Sequence, residues 1–448
     1  MKLGLLCAGL MAACVLASGT ERTEAASRRF LLKDGQKVLL LGDSITNAGG
    51  YIQYVDAYLR TRFPAQHFDL YNLGLPSETV TGLSEPDHPY PRPDVHTRIT
   101  RALERIKPDV VVACYGMNDG IYYPFSEERF EKYQQSMRDL MARAEGAGAK
   151  VVLLTPPPFD PVPMKGKLLP AGAPKYSWVA PYERYNDVLA RYADWLLTLR
   201  PQVPVGDLQH ATMSYLAATR RTEPGFAITG DGVHPNLNGH AVIAVELLNT
   251  LGAPAEVDRA EIDARGLKAT YGQVSGIAAD QGGLRFEWVS RLPMPEDPAW
   301  DPSVVPNTHL EERLNQHRLV IKGLAPGRYA LYEGNAHVGE ISAPELAKGI
   351  DLLRYPVLST NRNAIELLKL VRQRERLLSP AWLTSVGHSR PGTPAGLPLD
   401  EAQRQAAPLE EKLRELAQPV KLSLRVVPVQ NLERQNGSTI PAAREGGA

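Results

Sequence analysis

The chain has 448 residues, of which 43% are hydrophobic and 22% charged, values near the globular average that exclude a mostly disordered or fibrous molecule. That length leaves room for one large domain and a smaller companion. Fifty basic residues balance 50 acidic ones, so no global field recruits nucleic acid, an anionic membrane or a polyanion, and a partner must be recognised locally.

Lys2 is followed from Leu3 to Ala17 by an almost unbroken run of Leu, Ala, Val, Met, Cys and Gly, and then by polar residues Ser18 to Glu24. That layout predicts a signal peptide over residues 1–26 and an exported protein, the run being short for a membrane span and basic only at its start. Met11-Ala12-Ala13-Cys14 also resembles a lipoprotein processing site, which would make Cys14 a lipid anchor. No later stretch is long and apolar enough for an integral membrane span. Cys7 and Cys14 both fall in the targeting segment, so Cys114 alone remains, and neither an intramolecular disulfide nor a cysteine zinc site is open to the mature chain.

From Lys37 to about Gly252, short β-branched or Leu-rich runs alternate with segments of helical period, as in a parallel sheet flanked by helices. Five strands are predicted, at Val38 to Leu41, Phe68 to Leu73, Asp109 to Cys114, Val151 to Thr155 and Val203 to Val205. Between them Ile52, Val55 and Leu59 recur at helical spacing, as do Phe130, Tyr133, Met137 and Leu140, and then Tyr185, Leu189, Tyr192 and Leu196. The proline-rich stretches Leu83 to Asp94 and Pro156 to Pro161 are loops placed to wall a binding site.

After Gly252 no βα alternation is visible, and a second module is expected over residues 253–430. His317 to Lys322, Gly327 to Tyr332, Ala336 to Ser342 and Val420 to Val427 read as strands, with Gly334-Asn335 as a tight hairpin turn. Asn363 to Leu378 and Leu399 to Ala417 form a helical pair joined by the Pro/Gly-rich stretch Ser389 to Pro398. The expectation is a β-rich accessory module with a helical insertion, followed by a polar, flexible tail over 431–448.

Four blocks carry chemistry. Val38 to Leu41 runs into Gly42-Asp43-Ser44-Ile45-Thr46, which sets a serine at the carboxyl end of the first strand, where open α/β sheets bind ligands. The second strand ends in Asn72-Leu73-Gly74, the third in Gly116-Met117-Asn118-Asp119, and the α/β region closes with Asp231-Gly232-Val233-His234-Pro235. Taken singly each has a bland reading: a helix-capping turn for Ser44, a turn residue for Asn118, a cap for Asp231, a surface imidazole for His234. Taken together, in this order, they converge on one rim.

Order and spacing resemble the SGNH hydrolase family, the GDSL-like esterases and lipases, over about residues 37–252. The resemblance implies a flavodoxin-like three-layer α/β/α fold around the five-stranded parallel sheet, in a catalytic domain over 28–252. It makes Ser44 the nucleophile, His234 its base, Asp231 the orienting acid, and Ser44, Gly74 and Asn118 the oxyanion-hole donors. Elementary chemistry agrees, because a serine hydroxyl is a poor nucleophile until an imidazole takes its proton and a carboxylate fixes that imidazole's tautomer. Asp231 precedes His234 by three residues, so one turn can bring them together. Asp43 is assigned no chemical step, Tyr115, Tyr122 and Tyr123 are as suited to packing as to lining a pocket, and Cys114 is expected to be a buried, inert thiol.

There is no Gly-x-Ser-x-Gly elbow, no His-Glu-x-x-His helix and no phosphate-binding loop, and the spacing of His234 and His240 is poor for metal ligation. The chemistry requires no cofactor and no metal. The leading expectation is hydrolysis of short acyl esters, O-acetyl foremost, on a small-molecule or polysaccharide substrate. A lysophospholipase or thioesterase is the enzymatic alternative, and a non-catalytic glycan-binding protein is the alternative of another class.

Overall fold

Residues 29–429 are described by the structure, a computed structural model; the expected signal segment with Cys14 and the tail over 431–448 lie outside them. Five strands, β1 (Gln36–Gly42), β2 (Phe68–Asn72), β3 (Val110–Cys114), β4 (Lys150–Leu154) and β5 (Val205–Gly206), form one parallel sheet in the order β2-β1-β3-β4-β5. Every residue of β3 is buried, which is why its sequence is an unbroken apolar run rather than an alternating one. Seven helices accompany the sheet: α1 (Ser44–Asn47), α2 (Gly50–Arg62), α3 (Ile99–Ile106), α4 (Glu127–Gly146), α5 (Tyr185–Leu197), α6 (Leu208–Thr219) and α7 (Leu237–Thr250). The predicted stripes are their buried faces. Tyr133, Met137 and Leu140 of α4 and Tyr185, Leu189, Tyr192 and Leu196 of α5 are all in the core, with Tyr133 and Tyr192 stacked at 4.4 Å between ring centroids. The expected three-layer α/β/α fold with its flavodoxin-like strand order is therefore present.

The remainder is β-rich, also as expected, but richer than the sequence suggested. β6 (Glu256–Asp263), β7 (Lys268–Tyr271), β8 (Val274–Asp280) and β9 (Gly283–Ser290) are followed by two short helices, α8 (Val304–Thr308) and α9 (Leu310–Leu314), and then by β10 (Gln316–Lys322). β11 (Arg328–Glu333), β12 (Ala336–Ser342), α10 (Ala343–Lys348), β13 (Ile350–Asp351), α11 (Ser359–Val386), α12 (Leu399–Leu416) and β14 (Val420–Pro428) complete the described chain. The strands make a four-stranded sheet, β13-β10-β6-β7, and an antiparallel five-stranded sheet, β12-β11-β14-β9-β8. Ile262, Leu319 and Ile321 of the first share a core with Phe286, Trp288, Leu331, Leu424 and Val426 of the second. Glu333 pairs with Ala336 across the predicted Gly334-Asn335 turn, and Gly334 takes the left-handed conformation (φ 57°) that such a turn requires.

The helical pair is inserted between β13 and β14, yet it packs on the α/β layers. Leu367, Leu368, Val371, Leu383 and Val386 of α11 and Leu413 of α12 belong to the core built around the parallel sheet, with α11 lying against α2 and β2. β2 is an edge strand, and α11 covers it: Trp382 meets Tyr71 edge-on, and the Ser379 hydroxyl donates to the Asn72 carbonyl. A charged network fastens the arrangement. Glu410 of α12 accepts from Arg60 of α2 at 2.7 Å and from Arg374 of α11 at 2.8 Å.

Candidate active site

β1 pairs with β2 on one side and β3 on the other, so the carboxyl ends of these three strands lie side by side at the point where the strand order reverses. Helices leave such a point on opposite faces of the sheet and open a crevice. Ser44 follows β1, Gly74 follows β2 and Asn118 follows β3. Asp43 caps α1, its Oδ1 accepting from the Ile45 N–H at 2.9 Å, and this starts the helix at the serine. His234 and Asp231 stand in the turn that precedes α7.

The Ser44 hydroxyl lies 2.8 Å from His234 Nε2, and His234 Nδ1 lies 2.6 Å from Asp231 Oδ2. With the carboxylate accepting at Nδ1, the free lone pair of the neutral ring is at Nε2, facing the serine. Asp231 is fixed from behind, because its Oδ1 accepts from the backbone N–H groups of Val233 (3.0 Å) and His234 (2.8 Å). Partial burial works against ionisation of Asp231, but these hydrogen bonds outweigh it and hold the carboxyl below the usual carboxylate range. The hydrogen bond to Asp231 raises the His234 pKa, burial opposes it, and the charges of Asp231 and Asp43 reinforce it.

Asn118 is buried and oriented by three neighbours. Its Oδ1 accepts from the Tyr122 hydroxyl at 2.9 Å, and its Nδ2 donates to the Glu78 carbonyl at 3.1 Å with a longer, 3.5 Å approach to Asp43 Oδ2. One amide hydrogen is thus committed, while the other makes only the long contact and is the one free to meet an oxyanion. Gly74 differs from expectation. Its N–H already donates to Asn72 Oδ1 at 3.0 Å, and a Cβ there would come within 2.2 Å of the Asn47 backbone nitrogen, so the glycine is required by its close packing on α1. Of the five expected site residues, Ser44, Asn118 and His234 line one cavity of about 250 Å³, Asp231 is held behind the imidazole, and Gly74 packs on α1 outside that lining.

The cavity is completed by Tyr122, which the sequence left open between packing and lining a pocket, and by residues that sequence reasoning did not single out. Pro76 and Ser77 come from the turn after β2; His88, Pro89, Tyr90 and Arg92 come from the predicted wall loop; Tyr122 comes from the turn after β3. Trp178 stands at the rim, 46% exposed, and Arg390 reaches in from the segment between α11 and α12. Arg92 is buried and bound by Glu85 through two hydrogen bonds of 2.6 and 2.7 Å. Asp43 sits behind Asn118, where burial lifts its carboxyl to about 6 against the Ile45 hydrogen bond. Cys114 is buried and its thiol is pushed well up by desolvation, consistent with an inert side chain.

A serine hydroxyl, an imidazole and a carboxylate in line, at the switch point of a doubly wound sheet, define the class: this is a carboxylic ester hydrolase. The model of the GDSL-like Lipase/Acylhydrolase family matches residues 40–242. An acetylxylan esterase of Geobacillus stearothermophilus is 24% identical over 242 residues, 49% of this chain and 94% of that protein. Among solved structures, a gut microbial diltiazem-metabolizing enzyme, 20% identical, superposes with a TM-score of 0.69 over 89% of this chain and 98% of its own, so its fold extends through the β-rich part as well. A crystal structure of an acetylxylan esterase from Geobacillus stearothermophilus, 22% identical, covers 50% of this chain and 97% of its own with a TM-score of 0.38.

Proposed function

We propose that this protein is an exported serine esterase that removes short acyl groups, O-acetyl foremost, from carbohydrate through an acyl-enzyme intermediate. The observation that carries the reading is the unbroken line Ser44 Oγ, His234 and Asp231, opening into a small cavity. His234 Nε2 takes the Ser44 proton as Oγ adds to the ester carbonyl, and the resulting oxyanion is met by the Ser44 N–H, the free Asn118 amide hydrogen and, where it can be shared, the Gly74 N–H. Collapse expels the sugar alkoxide, which receives the proton from His234 and leaves an acyl-serine. A water activated by the same imidazole then hydrolyses the acyl-serine, releasing the acid and regenerating Ser44.

Two features favour a small acyl group on a sugar. A cavity of about 250 Å³ bounded by Tyr90, Tyr122, His88 and Arg92 suits an acetyl group better than a long chain, and Trp178 offers an exposed aromatic face at the rim for a sugar ring to stack on. The matched relative named as an acetylxylan esterase points the same way. Among the described residues, no helix is long and apolar enough to cross a membrane.

The test is acetate release from acetylated xylo-oligosaccharides, together with turnover of a p-nitrophenyl ester series, by the parent and by Ser44→Ala. Acetate from the parent and none from the variant is expected. A strong preference for octanoyl over acetyl esters would instead favour the lysophospholipase or thioesterase reading. No turnover of any ester, with polysaccharide affinity unaffected by the substitution, would establish a binding protein.

A further inference from the structure

Two guanidinium groups line the cavity, and they differ in one respect. Arg92 is neutralised by its bidentate pairing with Glu85. Arg390 pairs with no carboxylate among the described residues. Its Nη1 donates to Thr393 Oγ1 at 3.1 Å and, weakly, to the Pro391 carbonyl at 3.5 Å, its Nε is buried without a partner, and its guanidinium lies over the Tyr90 ring at 5.4 Å. Tyr90 is itself held by a 3.3 Å contact between its hydroxyl and Ser77 Oγ, so the cation has a fixed seat. The acids around the cavity are otherwise engaged: Asp231 by His234, Asp43 behind Asn118. His88 and His388, close to the same guanidinium, are kept below the ordinary histidine range by burial and by the arginine charges, so neither adds a competing positive charge near neutral pH. A partly desolvated cation without a counter-charge remains in the lining of the cavity that holds Ser44 and His234.

We infer that Arg390 is a specificity-determining residue that binds an anionic group of the substrate, so that the preferred ester is an acylated acidic sugar carrying a carboxylate near the ester. The inference rests on the carbohydrate-ester reading above and narrows its substrate. A guanidinium without a counter-ion attracts a carboxylate, and a neutral sugar would leave this charge unanswered on binding. It also assigns a recognition role to the segment joining α11 and α12, which lies outside the part of the chain that matches the family.

The experiment compares acetate release from an O-acetylated uronic-acid oligosaccharide with release from the same oligosaccharide after its carboxylates are converted to amides, using the parent, Arg390→Met and Arg390→Lys. Turnover of p-nitrophenyl acetate by the parent establishes the esterase independently. The parent is expected to favour the acidic substrate in kcat/KM by about 10- to 100-fold, the range of one hydrogen bond to a charged group, with the difference in KM. In Arg390→Met that preference falls to near unity, and Arg390→Lys keeps part of it. Equal use of both oligosaccharides by the parent, or a preference that survives in Arg390→Met, overturns the inference alone. Turnover of p-nitrophenyl acetate with neither oligosaccharide overturns the carbohydrate reading and this inference with it.

Discussion

Replacing Asp231 by asparagine separates orientation of the imidazole from mere proximity. In the parent, Oδ1 of Asp231 accepts two backbone N–H groups while Oδ2 accepts from His234 Nδ1 at 2.6 Å. Asparagine can satisfy the backbone only with its carbonyl oxygen, which turns its NH2 toward Nδ1. Two donors cannot share that hydrogen bond, so the ring carries its proton on Nε2, the atom that must accept from Ser44. Where such a triad is buried, the reversed tautomer costs about 10⁴ in turnover. Here the side chains of His234 and Asp231 are 49% and 48% exposed, so water competes for Nδ1 and the working tautomer stays accessible. The loss should be smaller, about 100- to 1,000-fold. The pH dependence supplies a second readout. In the proposed mechanism neutral His234 is the active form, and Asp231 raises its pKa, so removing the carboxylate moves the acid limb of kcat/KM to lower pH while the plateau falls. Initial rates with p-nitrophenyl acetate from about pH 5 to 9 test both effects. An unchanged plateau, or an acid limb that does not move, would refute the role assigned to Asp231.

Asn118→Ala should lower kcat by about 100- to 1,000-fold with little change in KM, because the donor acts on a charge present only in the transition state; a loss confined to KM would contradict this. Asp43→Asn keeps the acceptor for Ile45 and removes a buried charge. Because the folded pKa of Asp43 is raised from 3.8 to about 6, the native state loses stability as pH rises through that interval. The variant should therefore be more stable at pH 8, by up to about 3 kcal/mol, with the gain fading as pH falls toward the unfolded value. Urea unfolding at several pH values measures this, and a pH-independent difference would count against it. Glu78→Ala strands Arg98, which is buried and donates two hydrogen bonds to that carboxylate, so it should cost about 3 to 5 kcal/mol of stability by the same assay. A cost below about 1 kcal/mol, the range of an exposed pair, would mean that Arg98 finds another partner.

The parallel sheet was legible because its central strands are covered on both faces and read as apolar runs. The last strand was placed at Val203 to Val205, whereas only Val205 and Gly206 pair with β4, since so short a strand leaves little pattern to read. β7 and β8 went unseen because none of their residues is fully buried and only Val274 and Ile277 of β8 pack against the core. β9 had a readable signal, the alternation Leu284, Phe286 and Trp288, which its polar neighbours obscured. Helical period showed that α11 and α12 bury a stripe but not against what, because amphipathicity names a face and leaves the partner open. At the site, four short blocks located Ser44, Asn118, Asp231 and His234. Arg390 and Trp178 were not legible, since long-range packing brings their segments to the cavity.

The proposed catalytic groups and the groups proposed to shape the entrance have different structural origins. Ser44 and Asn118 follow strands at the middle of the sheet, where backbone pairing on both sides fixes them. Arg390 depends on α11 and α12, whose position is fixed by burial against α2 and β2 and by the bridges from Glu410 to Arg60 and Arg374. The same helices cover the edge of β2, which would otherwise expose unpaired backbone groups. A sequence cannot loosen this pair to change the entrance without also uncovering that edge. Variation in substrate preference is therefore more tolerable in the short segment from 387 to 398 than in the helices that carry it, because that segment bears the cavity residue while making little of the core.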